Sequence, residues 1–280
     1  MNGNEWIKRI GALPLTIAMV FALSVNAGWS QIGGAAVTKI IPQVAVGTFD
    51  GGLTKYSTVI EIVNPNPISV TVEGNFYKED GTAANLTLAT NSTAMPTISN
   101  GTLPQVTLDP NKVLIISAGT TAATTPSTGT IAWARLVTSG AVSSATFFEL
   151  RDGRTSALQS RVGVQASPTN MAKFVIPRVR NVAAGLDVGF ALVNTAVTSA
   201  SLTVTLKDAA GGTIAARSLT MPGSSHRALF TVEFFELTNE PNGTNYNYIV
   251  FDAGSAAQFA AVALAFEGAA QTSLPVDVLR

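Results

Sequence analysis

His226 is the only histidine among 280 residues, and the chain has no cysteine. A Ser-His-acid triad therefore has one possible base. The serines beside it, Ser224 and Ser225, are its neighbours in sequence and cannot meet its ring in triad geometry on a strand. The Pro222-Gly223 turn just before it places His226 at the surface. No His-Glu-x-x-His or comparable ligand set can be written, so no catalytic zinc site is expected. The missing thiol removes disulfides, thiolate nucleophiles and Cys-bound zinc. Glu61, Glu73, Glu149, Glu233, Glu236 and Glu267 could supply the paired carboxylates of glycoside hydrolysis. Several of them fall at outward positions of alternating strands, which favours solvated faces or cross-strand ion pairs. Asp50, Asp80, Asp152 and Asp208 could hold calcium at turns, but EF-hand spacing is missing and aspartate near glycine is first a turn signal. The expectation is no catalytic residue, no metal and no cofactor.

A binding site is the other chemistry these residue types allow. Asn242-Gly243-Thr244-Asn245-Tyr246-Asn247-Tyr248 sets two aromatic rings among amides and a hydroxyl. Sugar-binding rims use that mixture, ring faces for stacking and short polar groups for hydrogen bonds. Tyr246, Tyr248 and Asn245 are the expected ligand-binding residues. The alternative is that Tyr248 opens a strand and Tyr246 covers a sheet edge.

The elements that must position these residues are strands. Only 12% of residues are charged and 46% are hydrophobic, against roughly 25% charged in ordinary globular domains. Ser, Thr, Ala, Val and Gly fill the difference, the profile of a β-rich exported protein with a hydroxyl-covered surface. Formal net charge is zero, so nothing recruits nucleic acid. Residues 56–63 and 69–77 are dominated by β-branched and alternating apolar positions. Val70, Val72, Gly74 and Phe76 point one way, and Thr71, Glu73 and Asn75 the other. Asn64-Pro65-Asn66-Pro67 must end the strand before it, because proline donates no hydrogen bond and drives its predecessor extended. Residues 83–108 carry no charge and read as an insertion or a wandering strand pair. Residues 259–266 hold helix-favouring alanines, but the flanking glycines favour strand.

Residues 1–27 have the form of a secretory signal, with Lys8 and Arg9 ahead of an uncharged apolar run and Val25-Asn26-Ala27 at the cut. Residues 28–39 read as a flexible leader. An extended leader could add a strand to a neighbouring sheet, making a homo-oligomer through edge-strand addition. No second apolar stretch of spanning length follows, so no stable membrane span is expected after cleavage.

The grammar of residues 41–81 recurs from residue 176 to 212. Ile41-Pro42-Gln43-Val44 answers to Ile176-Pro177-Arg178-Val179, Asn64 to Asn194, and Asp80-Gly81 to Ala210-Gly211-Gly212. Two copies of one β unit are expected, residues 40–166 and 172–280, joined at the Pro168 linker, with one larger continuous β domain as the alternative. Each holds about seven strands, the count of an immunoglobulin-like sandwich. The expected class is all-β, two tandem immunoglobulin-like antiparallel β-sandwich domains after a signal peptide.

At Pro42-Gln43-Val44, Val63-Asn64-Pro65 and Phe76-Tyr77-Lys78-Glu79-Asp80-Gly81 the chain resembles poorly characterised secreted bacterial repeat proteins with immunoglobulin-like sandwich domains. The resemblance spans residues 40–165; the second copy departs from it at Asn194-Thr195. It implies a surface or extracellular structural role and brings no catalytic residues. The expected function is a secreted or cell-surface structural or interaction protein, for adhesion, matrix or surface assembly. Its partners would be other protein subunits or surface polysaccharide. The alternatives are a carbohydrate-binding β-sandwich module and a hydrolase of unrecognised type.

Overall fold

A computed structural model gives the fold and describes residues 36–93, 95, 97–98, 100–118, 129–237, 244–256 and 258–279. The expected signal, residues 1–27, lies outside the described residues, as do residues 28–35 of the expected leader. The chain is all-β, and every strand pair is antiparallel.

The first half contains β1 (Val37–Phe49), β2 (Thr54–Val63), β3 (Val70–Lys78), β4 (Leu88–Thr90), β5 (Thr97–Ile98), β6 (Thr102–Leu108), β7 (Val113–Ala118), β8 (Thr130–Thr138), β9 (Ser143–Asp152) and β10 (Leu158–Gln165). One layer runs β6-β3-β8-β1 and the other β7-β2-β9-β10, with β4 and β5 continuing past β7. Strand β1 belongs to both layers. Residues up to Val46 pair with β8, and Gly47 to Phe49 pair with β2. The corner falls at Gly47, whose φ of 101° is open to glycine and strained for other residues. Thr58 locks it, its fully buried hydroxyl donating to the Ala45 carbonyl and accepting from the Ala45 N–H, both at 3.0 Å.

Val70, Val72 and Phe76 of β3 are buried as their alternation requires. Gly74 is needed between them, since a Cβ there would stand 2.4 Å from Leu136 Cδ2. The uncharged stretch 83–108 is part of this core: Ala84, Leu86, Leu88 and Ile98 are all buried in it.

The second half contains β11 (Lys173–Asn181), β12 (Leu186–Asn194), β13 (Ala200–Lys207), β14 (Thr213–Met221), β15 (His226–Phe230), the short helix α1 (Thr231–Phe235), β16 (Thr244–Asp252), β17 (Phe259–Glu267), β18 (Ala270–Leu274) and β19 (Asp277–Val278). Its layers run β14-β13-β16-β11 and β15-β12-β17-β18, with β19 beside β11. The strand order is that of the first half without β4 and β5. Residues 259–267 form a strand paired on both sides, because two neighbours offer ladders and the run is too apolar to face water.

Each half has its own apolar core, and two smaller clusters join them. Ile40 and Trp133 meet Val193 and Ala260, and Phe148, Val162 and Val164 meet Ala191, Val262 and Leu264. Trp133 is fully buried and stacks on Tyr77 at 4.4 Å. Polar bonds close the seam. Arg135 Nη2 donates to the Thr195 carbonyl at 2.6 Å, and the Ala261 N–H donates to Ser167 Oγ at 2.8 Å.

His226 also lies in this seam, 1% exposed, and not at the surface as its turn suggests. Ser224 takes a left-handed φ of 56°, and a Cβ on Gly223 would fall 2.0 Å from the Val197 carbonyl oxygen. This tight turn folds against the Glu79–Gly81 tip of the first half, where the His226 N–H donates to the Glu79 carbonyl at 2.9 Å. Its Nε2 lies 2.9 Å from Gln43 Oε1. Gln43 is presented there by a bulge, since the β1–β8 register shifts between Ile41 and Val44, at Pro42. At the corresponding Pro177 the β11–β16 register runs on unbroken.

Candidate functional site

Position on β16 decides the fate of the expected binding residues. From Thr244 onward the segment is strand and not a loop rim, and Asn242 and Gly243 lie outside the described residues. Side chains alternate along a strand. Ile249 and Phe251 face the core, so Tyr246, Tyr248 and Val250 face out. Tyr246 is 67% exposed. Asn245 takes the opposite face, with Asn247. The structure thus brings the two tyrosines together, roughly 7 Å apart along the strand, and separates Asn245 from them. With its amide turned to satisfy both ends, Asn247 accepts from Arg178 Nη1 at 3.2 Å and belongs to the interior.

Neighbouring strands complete the outward face. The register sets Lys207 and Pro177 on either side of Tyr248, and Val179 beside Tyr246. Toward the other end of β16, Thr205 flanks Val250 and Thr203 flanks Asp252. Ser201 and Thr220 hydroxyls meet across β13 and β14 at 2.8 Å. A shallow depression of about 550 Å³ runs along this face, lined by Ser201, Thr203, Thr205, Val250 and the Lys173–Asp252 ion pair of 2.9 Å. The hydrogen bond from Lys173 and the N–H of Gly254 hold the Asp252 carboxyl below its ordinary value. The result is an aromatic pair continuous with rows of hydroxyls and one charge pair. Sequence spacing reveals the tyrosines. The hydroxyls of β13 lie over forty residues away and join them only through strand pairing.

Three of the carboxylates considered for chemistry, Glu61, Glu149 and Glu236, stand in ion pairs. Glu149 accepts from Arg151 at 2.9 Å and from Ser57 at 3.2 Å, and Arg161 links it to Glu61. Partial burial pushes the Glu149 carboxyl up, but hydrogen bonding and charge from Arg151, with Ser57 and Arg161, outweigh it and hold it low. Glu236 pairs with Arg217 at 2.6 Å. Asp80, Asp152 and Asp208 each accept backbone N–H groups of their own turns. Among the described residues no group of three His, Asp or Glu side chains stands close enough to hold a metal.

One polar network escaped the sequence reading. Arg178, fully buried, donates from Nε to Thr231 Oγ1 at 2.8 Å, and Thr231 Oγ1 donates to Asp187 Oδ1 at 2.8 Å. Arg178 Nη2 stands 3.8 Å from the same carboxylate oxygen. It ties β11, β12 and α1 together inside the second half.

No family model and no curated protein matches the chain. Two solved structures of a Pleurotus ostreatus lectin, the apo form and the complex with GalNAc, align over 88% of this chain at 11% and 10% identity. They are covered over 76% and 77% of their own lengths, with a TM-score of 0.15 in both cases. A TM-score that low does not reach a shared fold and carries no argument about ligand.

Proposed function

We propose that this chain is a non-catalytic interaction protein acting outside the cytoplasm, and that the outer face of β13 and β16 binds polysaccharide. The observation that carries this reading is the side-by-side display of Tyr246 and Tyr248 at the end of a hydroxyl-lined depression. Sugar rings present apolar faces that stack on aromatic rings and equatorial hydroxyls that need short hydrogen-bonding partners. An extended glycan lying along β16 would stack on the tyrosines and reach Thr205, Thr203 and Ser201 in turn. The non-catalytic part is supported by the ion pairs that hold Glu61, Glu149 and Glu236 and by a histidine wedged in the seam, away from this face. Surface placement agrees with the signal-like N-terminus and the hydroxyl-rich composition.

The same strand order in both halves supports reading them as two copies of one unit. In that reading β4 and β5 elaborate the first copy, while the tyrosine face belongs to the second alone.

The test is a glycan array and a polysaccharide pull-down with the secreted chain. Binding to one glycan class is expected, lost in Tyr246→Ala and weakened at least tenfold in Tyr248→Ala. Absence of binding to every glycan, or binding indifferent to both substitutions, overturns the reading.

A further inference from the structure

Between the two halves, away from the tyrosine face, lies a cavity of about 300 Å³. The first half contributes Phe49, Tyr56 and Phe148 to its wall, and the second Phe230, Phe266 and Gln271. The remaining lining is aliphatic apart from Phe190 and Gln43, and no charged side chain takes part among the described residues. Two edge-to-face pairs, one from each half, line it. Phe49 meets Tyr56 at 5.4 Å and 89°, and Phe230 meets Phe266 at 5.1 Å and 62°. Gly189 keeps the space beneath the second pair open, since a Cβ there would already stand 3.1 Å from the Phe266 ring.

The polar ends of this cavity are defined. Gln271 Nε2 points to the Tyr56 hydroxyl at 3.5 Å, and its backbone N–H donates to Ser160 Oγ at 3.2 Å. Its side-chain oxygen is buried with no donor facing it. A buried acceptor left unmatched is costly, and native structures ordinarily satisfy it. Water meets few partners in a wall so largely apolar, and a void this size forfeits the dispersion contacts of its whole lining. An apolar cavity of about 150 Å³ suffices for benzene, and ligand pockets begin at roughly 300 Å³. A ligand that filled this cavity would be larger than one ring, and one donor on it would satisfy Gln271 Oε1.

We propose that the seam binds an uncharged, compact aromatic molecule of about two fused rings bearing a single hydroxyl or N–H. The rings lie between the Phe49–Tyr56 and Phe230–Phe266 pairs, and the donor meets Gln271 Oε1. Phe230 is 37% exposed and forms the mouth. Because both halves line the site, the ligand also clamps the seam.

The test titrates the full secreted chain with 2-naphthol, naphthalene and naphthalene-2-sulfonate, read by calorimetry and by thermal shift. Saturable one-to-one binding of 2-naphthol is expected, with naphthalene at least tenfold weaker and the sulfonate excluded. Gln271→Leu should remove the preference for 2-naphthol over naphthalene, and Ala228→Leu, which fills the cavity from β15, should weaken both. Tyr246→Ala should leave all three titrations unchanged, which separates this site from the glycan face. No saturable uptake of 2-naphthol, or uptake unaltered by both cavity substitutions, overturns the proposal.

Discussion

Asn64 and Asn194 hold the same station in the two halves. Each is fully buried at the end of its strand and donates from Nδ2 to three backbone carbonyls: Ile68, Leu108 and Asp109 for Asn64, and Thr198, Met221 and Pro222 for Asn194. Each Oδ1 accepts from the N–H two residues on, that of Asn66 or Ala196. One amide thus staples the loop after its strand to the turn across the sandwich. Substitution strands the buried carbonyl of Leu108 or Met221, at about 1–3 kcal/mol for a buried group left unpaired. Asn64→Ala and Asn194→Ala should each lower stability by about 1–3 kcal/mol, read from urea unfolding midpoints. Asn64→Asp should fare no better, because a carboxylate offers acceptors where donors are needed.

His226 gives the seam a pH dependence. Burial holds its imidazole neutral and pushes its pKa down to about 4; the Arg227 charge adds to this, and the Pro42 carbonyl opposes it. The unfolded chain has the ordinary value near 6.5 and takes up a proton first as pH falls. Stability from this residue is therefore complete above about pH 6.5 and is lost progressively down to about pH 4. The difference amounts to about 3 kcal/mol. Urea midpoints between pH 7.5 and 4 should show that slope in the native chain, and His226→Gln should flatten it. Carboxylates held low, such as Glu149 and Asp252, lose their contribution only further down.

Gly101 and Gly254 share a φ of 61° but not the same space. A Cβ on Gly101 would fall 1.9 Å from the Ala84 carbonyl oxygen, while on Gly254 it meets nothing within 4 Å. Gly254→Ala should cost only the left-handed backbone term, about 1 kcal/mol. Gly101→Ala must also displace the buried Ala84 segment, so its loss of stability should be at least twice as large by thermal melting.

Strand identity was legible because alternation and turn chemistry are local. Val70, Val72 and Phe76 declare a buried face, and Asn64-Pro65 declares a stop, within a few residues of sequence. Even the asparagine stations could be read as strand ends, though their partners at Leu108 and Met221 could not. The seam was not legible. His226 follows Pro222-Gly223 and looks like a loop residue, and only contact with Glu79 and Gln43, more than 140 residues away, makes it interior. The same limit applies to the tyrosine face. Two tyrosines at i and i+2 are visible in sequence, but the β13 hydroxyls and the wrong-facing Asn245 follow from strand pairing. Residues 83–108 hid their role because small residues such as Ala84 carry little periodic signal while still filling a core.

Arg178 and Asp187 make a sharper case, because a buried ion pair is read by removing it one partner at a time. Arg178 is fully buried and Asp187 nearly so, with Thr231 bridging them. Truncating either one takes from the other the opposite charge that faces it in the interior, a loss of about 3–5 kcal/mol for a buried pair. Arg178→Met and Asp187→Leu should each unfold at markedly lower denaturant. The double variant removes both charges of the pair, so its loss should fall well short of the sum of the two, with a coupling of about 2 kcal/mol or more. Additive losses would mean that each side chain acts through its packing alone. Thr231→Val, which removes the bridging hydroxyl and keeps the volume, should cost about 1–2 kcal/mol and reduce that coupling, since the hydroxyl hydrogen-bonds to both charged groups at 2.8 Å.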